Sequence, residues 1–381
     1  MVSHAKRFEA FGWETIIIDG HDVVEIIEAV KKARASKEKP CCIIAKTLKG
    51  KHFIKGIEDN VKWHGKILGK SNSEGTIELL KSMIKNPEPM LIPTMPFGKA
   101  PENTHERTHF MLPTLTYQKG KEIATRIGVG TALRRLGYQN QNMVVLDAET
   151  KTSTYSYLFQ DAHPENFIEC YISEQNMISV ATGLHARGKI TFSNSFGAFL
   201  TRAYDQIRMA GISKANLKIH GSHGGVSVGE DGPSQMGLED IAIYKPIPGM
   251  SILYPSDAVS AEKAVEIAAN TYGLFYIRAT RPGTPVIYEN HEHFELGKCK
   301  VVVKSENDVI SVVGAGITLH EALIAQKVLE SEGIRIRVID VFSVKPIDAS
   351  GLLKNAKQTK NLVLTVEDHY INGGIRGIFL F

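Results

Sequence analysis

The stretch Asn166-Phe-Ile-Glu-Cys-Tyr-Ile-Ser-Glu-Gln-Asn-Met177 joins a strand pattern to a helix pattern within a few residues. Its first half, Asn166–Tyr171, predicts a strand, and a helical pattern begins at Gln175. Glu174 therefore lies between the two, at the carboxyl end of the strand. In parallel α/β sheets, the groups that bind ligands collect at this edge.

The same alternation of strand and helix repeats on both sides of that stretch. The predicted strands are Met143–Asp147, Ile190–Ser193, Ser251–Tyr254 and Gly273–Arg278. The predicted helices are Gly120–Leu136, Ala198–Ala210 and Ala258–Asn270. Repeated strand–helix units of this kind indicate a parallel sheet covered by helices on both faces.

Two shorter α/β patterns flank this central one. The upstream pattern comprises strand Thr15–Asp19, helix His21–Ser36 and strand Cys41–Lys46. No element is predicted ahead of its first strand. The downstream pattern comprises strand Val309–Val313, helix Thr318–Ser331 and strands Ile334–Asp340 and Leu362–Val366. Residues 72–113 include a proline-rich part and predict an irregular linker that runs over the surface.

Composition argues against several classes of protein. The 45 basic and 41 acidic side chains leave a formal net charge of only +4, and the basic residues are scattered, so no nucleic-acid partner is expected. The four cysteines indicate free thiols rather than a disulfide framework or a zinc site. No apolar run has the length of a membrane span and no signal peptide is evident, so we expect a cytoplasmic protein without a membrane partner.

A glycine-rich polar segment runs from His220 to Gln235 with the sequence HGSHGGVSVGEDGPSQ. It carries two histidines, two carboxylates and a glutamine, which is too polar a set for a core. One interpretation is a long solvated loop. The other is a substrate loop, whose glycines let the backbone approach a ligand closely.

Glu174 and two nearby phenylalanines each allow a structural and a functional interpretation. A carboxylate at a helix N-terminus commonly offsets the helix dipole, but at the mouth of a parallel sheet it can also be a catalytic acid. Phe196 and Phe199 lie about one helical turn apart, and by themselves they favour simple core packing.

Several motifs in a fixed order carry a family resemblance. They are Ala45-Lys-Thr-Leu-Lys-Gly50, Trp63-His-Gly65, Glu174-Gln-Asn-Met177, Phe196-Gly-Ala-Phe199, Gly229-Glu-Asp-Gly-Pro233, Val313-Gly-Ala-Gly-Ile-Thr-Leu-His-Glu-Ala322 and Val366-Glu-Asp-His-Tyr370. Together they resemble the animal-type transketolases, which depend on thiamine diphosphate. The resemblance covers almost the whole chain, except about residues 72–113 and the last few residues.

The resemblance implies a fold and a division of the chain. The fold is the α/β thiamine-diphosphate-binding fold, with parallel sheets flanked by helices and a partial, smaller C-terminal α/β domain. Residues 1–75 would be the C-terminal part of the diphosphate-binding domain, and residues 76–114 a linker. Residues 115–290 would form the pyrimidine-binding domain, and residues 291–381 part of the C-terminal domain.

The resemblance also implies cofactor and catalytic residues. Glu174 matches the glutamate that hydrogen-bonds the aminopyrimidine ring of thiamine diphosphate, so the ring's own amino group becomes the base. This glutamate must hold or share a proton, which requires a dry site. Phe199, with Phe196 beside it, matches the aromatic platform under the ring. Lys49 matches a lysine near the cofactor, and His64 a histidine near the reacting carbonyl.

The implied reaction moves a two-carbon ketol unit from a ketose phosphate such as xylulose 5-phosphate to an aldose phosphate such as ribose 5-phosphate, in the non-oxidative pentose phosphate pathway. The residues that match the family's substrate contacts are Arg126, Ser153, His223, Asp231, Gln235 and Arg281. The two arginines suit a phosphate because a planar guanidinium donates two parallel charged hydrogen bonds.

One signature of the family is missing from this sequence. A Gly-Asp-Gly motif, followed some tens of residues later by an Asn, normally binds the Mg²⁺ or Ca²⁺ that holds the diphosphate. No such motif occurs here, so no residue of this chain is assigned as a metal ligand. The resemblance places that motif upstream of the segment that corresponds to Phe8–Trp13. We therefore expect little or no turnover from this chain by itself.

Three functional interpretations remain open. The first is a transketolase that forms a homodimer and is represented by a fragment or an incomplete gene product. The second is a catalytically impaired paralogue that acts by forming a heterodimer with a complete transketolase. The third is a related dehydrogenase-complex or deoxyxylulose-phosphate synthase component, which the Gly229–Gln235 loop disfavours because it resembles the sugar-phosphate transketolases more closely.

Overall fold

The computed structural model of the protein describes residues 1–85 and 109–378. The first range belongs to one compact unit and the second range to another. None of the helices in these two ranges is long and apolar enough to cross a membrane.

The first unit is built from three helices and a two-stranded parallel sheet. Its elements are α1 (Val2–Ala10), β1 (Glu14–Asp19), α2 (Val23–Ala35), β2 (Cys41–Lys46) and α3 (Lys70–Met83). The Asp22 side chain caps α2 by accepting hydrogen bonds from the backbone N–H groups of Val24 and Glu25, which satisfies two donors that have no partner within the helix.

Two expectations for this unit are wrong. Helix α1 precedes β1, although no element was expected there; its charged sequence buries only Ala5, which explains its weak apolar pattern. Helix α3 occupies the beginning of the expected linker, because Ile77, Leu80 and Ile84 recur at helical spacing ahead of the proline-rich part. Residues 86–108 of that linker lie outside the described residues.

The second unit contains the remaining strands. They are β3 (Glu122–Ala124), β4 (Met143–Asp147), β5 (Phe167–Glu169), β6 (Ile190–Phe196), β7 (Leu217–Ser222), β8 (Met250–Leu253), β9 (Leu274–Arg278), β10 (Gly283–Pro285), β11 (Lys300–Val303), β12 (Ser311–Gly314), β13 (Arg337–Asp340), β14 (Ser343–Lys345) and β15 (Val363–Thr365).

Its helices alternate with these strands. They are α4 (Thr125–Gly137), α5 (Lys151–Thr154), α6 (Tyr157–Ala162), α7 (Glu174–Ala186), α8 (Tyr204–Ile212), α9 (Asp240–Tyr244), α10 (Ala258–Asn270), α11 (Ile317–Ser331) and α12 (Ala349–Gln358).

The central sheet has seven strands in the order β14-β8-β9-β7-β6-β4-β5. All neighbouring strands are parallel except β14, which runs antiparallel to β8 at the edge. Helices α4 and α10 contribute to the core on one face, and α7 and α8 to the core on the other. Burial on both faces explains why β4, β8 and β9 are nearly continuous apolar runs.

A smaller four-stranded sheet follows in the order β11-β13-β12-β15, with its own core against α11. The predicted fold class is therefore confirmed: parallel sheets flanked by helices, with a smaller C-terminal α/β part. One strand connects the two sheets in an unexpected way, because β14 comes from the C-terminal part of the chain and pairs with the central sheet.

The long loop was predicted to run from His220 to Gln235, but its predicted start is three residues too early. Residues 220–222 belong to β7, which was not predicted, and their side chains are buried. Polar groups at this depth hide the strand pattern, since Lys218, His220 and Ser222 occupy alternate positions of the strand. His220 Nδ1 lies 3.0 Å from the side-chain oxygen of Asn194 on the neighbouring strand.

Candidate active site

Polar side chains gather where the central strands end. Asp147, Ser222 and Arg278 are the last residues of β4, β7 and β9, and Phe196 is the last residue of β6. Because parallel strands all end at one edge, the segments that follow them meet there. Most of the candidate residues in the second unit lie on those segments.

Arg126 lies at the start of α4 and makes two contacts with separate segments. Its Nη1 donates to the backbone oxygen of Ser153 at 2.8 Å, and its Nε donates to that of Arg281 at 3.2 Å. Burial lowers the pKa of the Arg126 guanidinium, and the neighbouring Arg281 charge adds to this shift. Two arginine side chains whose charges act on each other favour the binding of an anion.

Arg281 contacts the glycine-rich loop. Its Nη2 lies 2.6 Å from Glu230 Oε1, its Nε lies 3.3 Å from Asp231 Oδ2, and its Nη1 donates to the Val228 backbone oxygen at 2.9 Å. The hydrogen bond with Arg281 lowers the pKa of the Glu230 carboxyl. Glu230 is exposed, so this ion pair sits at the open side of the cluster.

His223 is the buried member of the cluster. Its Nε2 lies 3.8 Å from Asp231 Oδ2, and its Nδ1 lies 2.9 Å from the Ser222 hydroxyl. The ring stacks on Phe196 with centroids 3.7 Å apart. Burial, together with the charges of Arg126 and Arg281, lowers the pKa of His223 to about 3. The imidazole is therefore neutral near pH 7 and can accept or donate a hydrogen bond without adding charge.

Asp147 positions the short helix that carries Ser153. Its Oδ1 accepts from the N–H of Thr150 at 2.6 Å, and its Oδ2 accepts from the hydroxyls of Thr154 and Ser156 at 2.7 and 2.8 Å. Burial raises the pKa of Asp147 to about 6, although these bonds oppose the shift. Asp147 thus ties α5 to the end of β4, and Ser153 with it.

Four candidate phosphate-binding residues are brought together in this way. Ser153 contacts Arg126, Arg126 contacts Arg281, and Arg281 contacts Asp231. His223 completes the chain of contacts through Asp231. Gln235 lies at the end of a 3₁₀ turn on the same loop, where its side chain accepts from the Ser234 hydroxyl.

Glu174 is the first residue of α7 and is only 3% exposed. Its Oε2 has no hydrogen-bond partner among the described residues, and the Nε of Arg202 lies 3.5 Å away. A buried carboxylate oxygen without a hydrogen bond is costly, which makes it a natural position for a ligand donor. The helix N-terminus also favours a carboxylate, so the position of Glu174 is compatible with both earlier interpretations.

The two phenylalanines form a parallel stack near this carboxylate. Their ring centroids are 4.8 Å apart with an interplanar angle of 12°. Phe196 is buried, whereas Phe199 is partly exposed at the start of the 3₁₀ turn that also carries Arg202. The stack thus leaves the Phe199 ring partly exposed. The turn that carries Phe199 also carries Arg202, which lies next to Glu174.

The remaining two candidates lie in the first unit. Lys49 Nζ is within hydrogen-bonding distance of His64 Nδ1, and both side chains are exposed. The Lys49 backbone oxygen accepts from the N–H of Asp59, which holds the loop after β2 in place.

Sequence reasoning missed three residues of this region, namely Asp147, Ser222 and Glu230. Asp147 ends a strand that was predicted correctly, so its position at the sheet edge was a usable signal. Ser222 was hidden by the failure to recognise β7. Glu230 was visible in the loop but had no assigned partner. Across residues 1–85 and 109–378, no group of three or more His, Cys, Asp or Glu side chains is placed to hold a metal ion.

Three family models match successive parts of the chain. The transketolase thiamine diphosphate binding domain matches residues 2–93, the transketolase pyrimidine binding domain residues 121–286, and the transketolase C-terminal domain residues 297–379.

Curated relatives match over nearly the whole chain. It is 49% identical to the transketolase of Homo sapiens over 374 residues, which are 98% of this chain and 59% of that protein. It is 50% identical to transketolase-like protein 2 of Mus musculus over 373 residues, again 98% of this chain and 59% of the relative. The chain thus spans about three fifths of the length of these relatives.

Solved structures give the same result. A split gene transketolase, described as an inactive beta4 tetramer, is 39% identical with a TM-score of 0.62, and the match covers 68% of this chain and 84% of that one. The transketolase of Campylobacter jejuni has a TM-score of 0.70 at 21% identity, covering 99% of this chain and 66% of that one. The second likeness concerns the fold.

Proposed function

Because this chain belongs to the transketolase family, we propose that it takes part in transferring a two-carbon ketol unit between sugar phosphates. The donor is a ketose phosphate such as xylulose 5-phosphate, and the acceptor an aldose phosphate such as ribose 5-phosphate, as in the non-oxidative pentose phosphate pathway. The observation that carries this proposal is the buried Glu174 oxygen without a hydrogen bond, near the turn that bears Phe199.

The residues of the second unit fit the pyrimidine end of thiamine diphosphate. Glu174 Oε2 is buried and has no hydrogen-bond partner among the described residues, so it is suited to pair with a ring nitrogen of the cofactor. The partly exposed ring of Phe199, stacked on Phe196, offers a flat apolar face to a flat ring. When bound, thiamine diphosphate supplies the carbon nucleophile that accepts and releases the ketol unit.

The cluster around Arg281 suits the phosphate and hydroxyl groups of the sugar. Arg126 and Arg281 would hold the phosphate, with Ser153 and His223 completing its contacts. Neutral His223 can donate or accept without competing for the arginines. Asp231 would accept a hydrogen bond from a sugar hydroxyl, and the Gln235 amide would contact its neighbour. Together these residues orient the substrate relative to Glu174.

Lys49 and His64 are proposed for the cofactor and the reacting carbonyl, respectively. Mg²⁺ or Ca²⁺ would hold the diphosphate through ligands outside this sequence, which has no Gly-Asp-Gly motif. The proposed partner is therefore a second transketolase-type chain, in a homodimer or in a heterodimer with a complete transketolase.

A second candidate function is supported by two similarities. Some relatives are transketolase-like proteins, and one similar structure is an inactive assembly of a split gene transketolase. In this alternative, the chain is an impaired paralogue that acts only within a heterodimer, where it supplies Glu174 and Phe199 to the partner's cofactor.

The test is a complementation assay with xylulose 5-phosphate, ribose 5-phosphate, thiamine diphosphate and Mg²⁺. The partner is a complete transketolase whose own pyrimidine-contacting glutamate has been replaced, so that it is inactive by itself. We expect mixed dimers to regain ketol transfer with the wild-type chain and not with Glu174→Ala. Glu165→Ala, which removes an exposed carboxylate from the turn before β5, should restore activity like the wild type.

Two outcomes of the same assay would contradict one or both candidate functions. The chain by itself is expected to show little or no turnover. Turnover near that of a complete enzyme, abolished by Glu174→Ala, would show that this chain holds the diphosphate by itself and would contradict the paralogue. Absence of complementation, with mixed dimers present by native mass spectrometry, would contradict both.

A further inference from the structure

A buried arginine lies directly under the glycine-rich loop. Arg278 ends β9 and has no exposed surface. Its Nε donates to both oxygens of Asp240 at 3.1 and 2.8 Å, and its Nη1 donates to Asp368 Oδ1 at 2.9 Å. Asp240 belongs to the central part of the unit, whereas Asp368 follows β15 in the C-terminal part. One guanidinium thus joins two parts of the fold.

The same arginine holds the loop. Its Nη2 donates to the backbone oxygen of Gly237 at 2.7 Å, and that oxygen also accepts from the N–H of Gly225 at 2.8 Å. The N–H of Gly237 donates to the backbone oxygen of His223 at 3.0 Å. Gly237 therefore connects the beginning and the end of the loop, and Arg278 fixes Gly237.

Asp368 contacts the loop from the other side. A Cβ atom at Gly225 would lie 1.6 Å from Asp368 Oδ2, so the two residues approach closely only because Gly225 has no side chain. The Tyr254 hydroxyl donates to Asp368 at 3.1 and 3.2 Å and keeps the carboxylate in this position. The N–H of Tyr370 also donates to the backbone oxygen of Leu238 at 2.9 Å, just after the loop.

We propose that Asp368 is a positioning residue for the substrate loop of residues 223–237, and that it acts through Arg278. Asp368 contacts the candidate site through this loop and through Arg278. Its effect is to fix the two ends of the loop, at His223–Gly225 and at Gly237, and thereby the backbone between them that carries Asp231. The C-terminal part thereby contributes to substrate binding without contacting the substrate. The link to substrate rests on the proposed function, whereas the link to the loop does not.

The loop link is tested by amide hydrogen exchange on the full chain. Asp368→Asn keeps the shape and removes the charge, and Arg278 still has Asp240, so folding is expected to survive. We expect the peptide containing Gly224, Gly225 and Gly237 to exchange about tenfold faster or more, as for loss of a charged hydrogen bond. Peptides of α10 should be unchanged. Tyr254→Phe, which removes only the hydroxyl, should act in the same direction with a smaller effect.

A matched control excludes general destabilisation. Asp308 and Arg337 form another buried ion pair in the C-terminal part, with Oδ2 and Nε 3.2 Å apart. Asp308→Asn should lower the unfolding temperature without faster exchange in the loop. The proposal is overturned if Asp308→Asn loosens the loop as much as Asp368→Asn. It is also overturned if neither Asp368→Asn nor Tyr254→Phe changes loop exchange; should Asp368→Asn not fold, Tyr254→Phe decides.

The substrate link uses ribose 5-phosphate as the probe, measured by titration calorimetry. We expect Asp368→Asn to raise its dissociation constant about tenfold, whereas Asp308→Asn leaves it unchanged. If the wild type does not bind ribose 5-phosphate although the loop responds in exchange, the proposed function fails and the loop link stands. If the wild type binds it and Asp368→Asn binds equally well, the positioning role is wrong.

Discussion

The two sides of the candidate site hold their charged groups in opposite ways. On the cofactor side, Glu174 is buried, and one of its carboxylate oxygens has no hydrogen-bond partner within residues 1–85 and 109–378, although Arg202 Nε lies 3.5 Å away. On the sugar-phosphate side, Arg281 is fully engaged with Glu230, Asp231 and a backbone oxygen. The Glu174 oxygen is thus available to a ligand, whereas the Arg281 guanidinium is already bound by partners within the protein.

This difference predicts how each side should respond to amino-acid substitution. Glu174 is the carboxylate proposed to contact the reacting cofactor, so its loss should affect the chemical step. On the sugar-phosphate side, several paired charged groups are proposed to bind the substrate together, so the loss of any one of them should weaken substrate binding by a moderate amount. Three of the four predictions below test this contrast, and the other tests the burial of His220 beneath the sugar-phosphate side. All use the mixed-dimer assay or the full chain.

The largest effect is expected for Glu174→Gln, which keeps the shape and removes the exchangeable acid. We predict that kcat falls by about 100-fold or more, the range of general acid–base catalysis, while KM for ribose 5-phosphate changes little. Steady-state kinetics on mixed dimers measure both constants. A rise in KM at constant kcat would remove the contrast between the two sides.

The next effect is expected for Arg281→Lys, which keeps the charge and removes the planar fork. We predict that KM for ribose 5-phosphate rises about tenfold, with a smaller change in kcat. Arg335→Lys, in a surface ion pair with Glu330, is the matched control and should leave both constants unchanged. If the kcat of Arg281→Lys falls as far as that of Glu174→Gln, the two sides are not functionally distinct.

A third prediction concerns His220, beneath the sugar-phosphate side, whose pKa burial lowers to about 3 from an ordinary 6.5. Below about pH 6.5 the unfolded chain binds a proton at His220 that the folded chain does not, so stability falls as pH decreases toward 3. His220→Asn should remove this dependence, so the wild type should lose about 1.4 kcal/mol per pH unit relative to the variant in that window.

Denaturant unfolding at pH 4.5, 5.5 and 6.5 measures this difference. The comparison with the variant is needed because Asp147 and Asp340 have raised pKa values, about 6 and about 7, and oppose the histidine over part of the window. These two carboxylates are present in both proteins, so their contribution cancels. Parallel stability curves for wild type and variant would contradict a buried neutral His220.

The smallest effect is expected for Glu230→Gln. The exposed Glu230 carboxylate pairs with the Arg281 guanidinium, so an anionic ligand would compete with Glu230 for that guanidinium. We predict that ribose 5-phosphate binds about two- to fivefold more tightly to the variant, as expected for a solvent-exposed ion pair. Glu332→Gln, another exposed glutamate, should leave the affinity unchanged. Weaker binding to Glu230→Gln would mean that Glu230 helps to hold the ligand.

Much of the central fold was predictable because its strands are local apolar runs. Strand Met143–Asp147 and helix Ala258–Asn270 have the predicted bounds, and the helix is capped by Asp257, which forms a capping box with Ser260. Strand β7 was missed because His220 and Ser222 look like loop residues. In the fold, His220 Nδ1 pairs with the Asn194 side chain on the neighbouring strand, and the Ser222 hydroxyl pairs with His223.

The sequence by itself determined the family, the fold class and which residue types are available at the ends of the central strands. Apolar periodicity and turn chemistry are local, so they can be read without knowing what packs where. The tertiary structure decided which of those residues meet: β14 pairs with β8, Arg278 joins Asp240 to Asp368, and Ser153 reaches Arg126. Such contacts depend on the free energy of burying distant segments together, which no local pattern specifies.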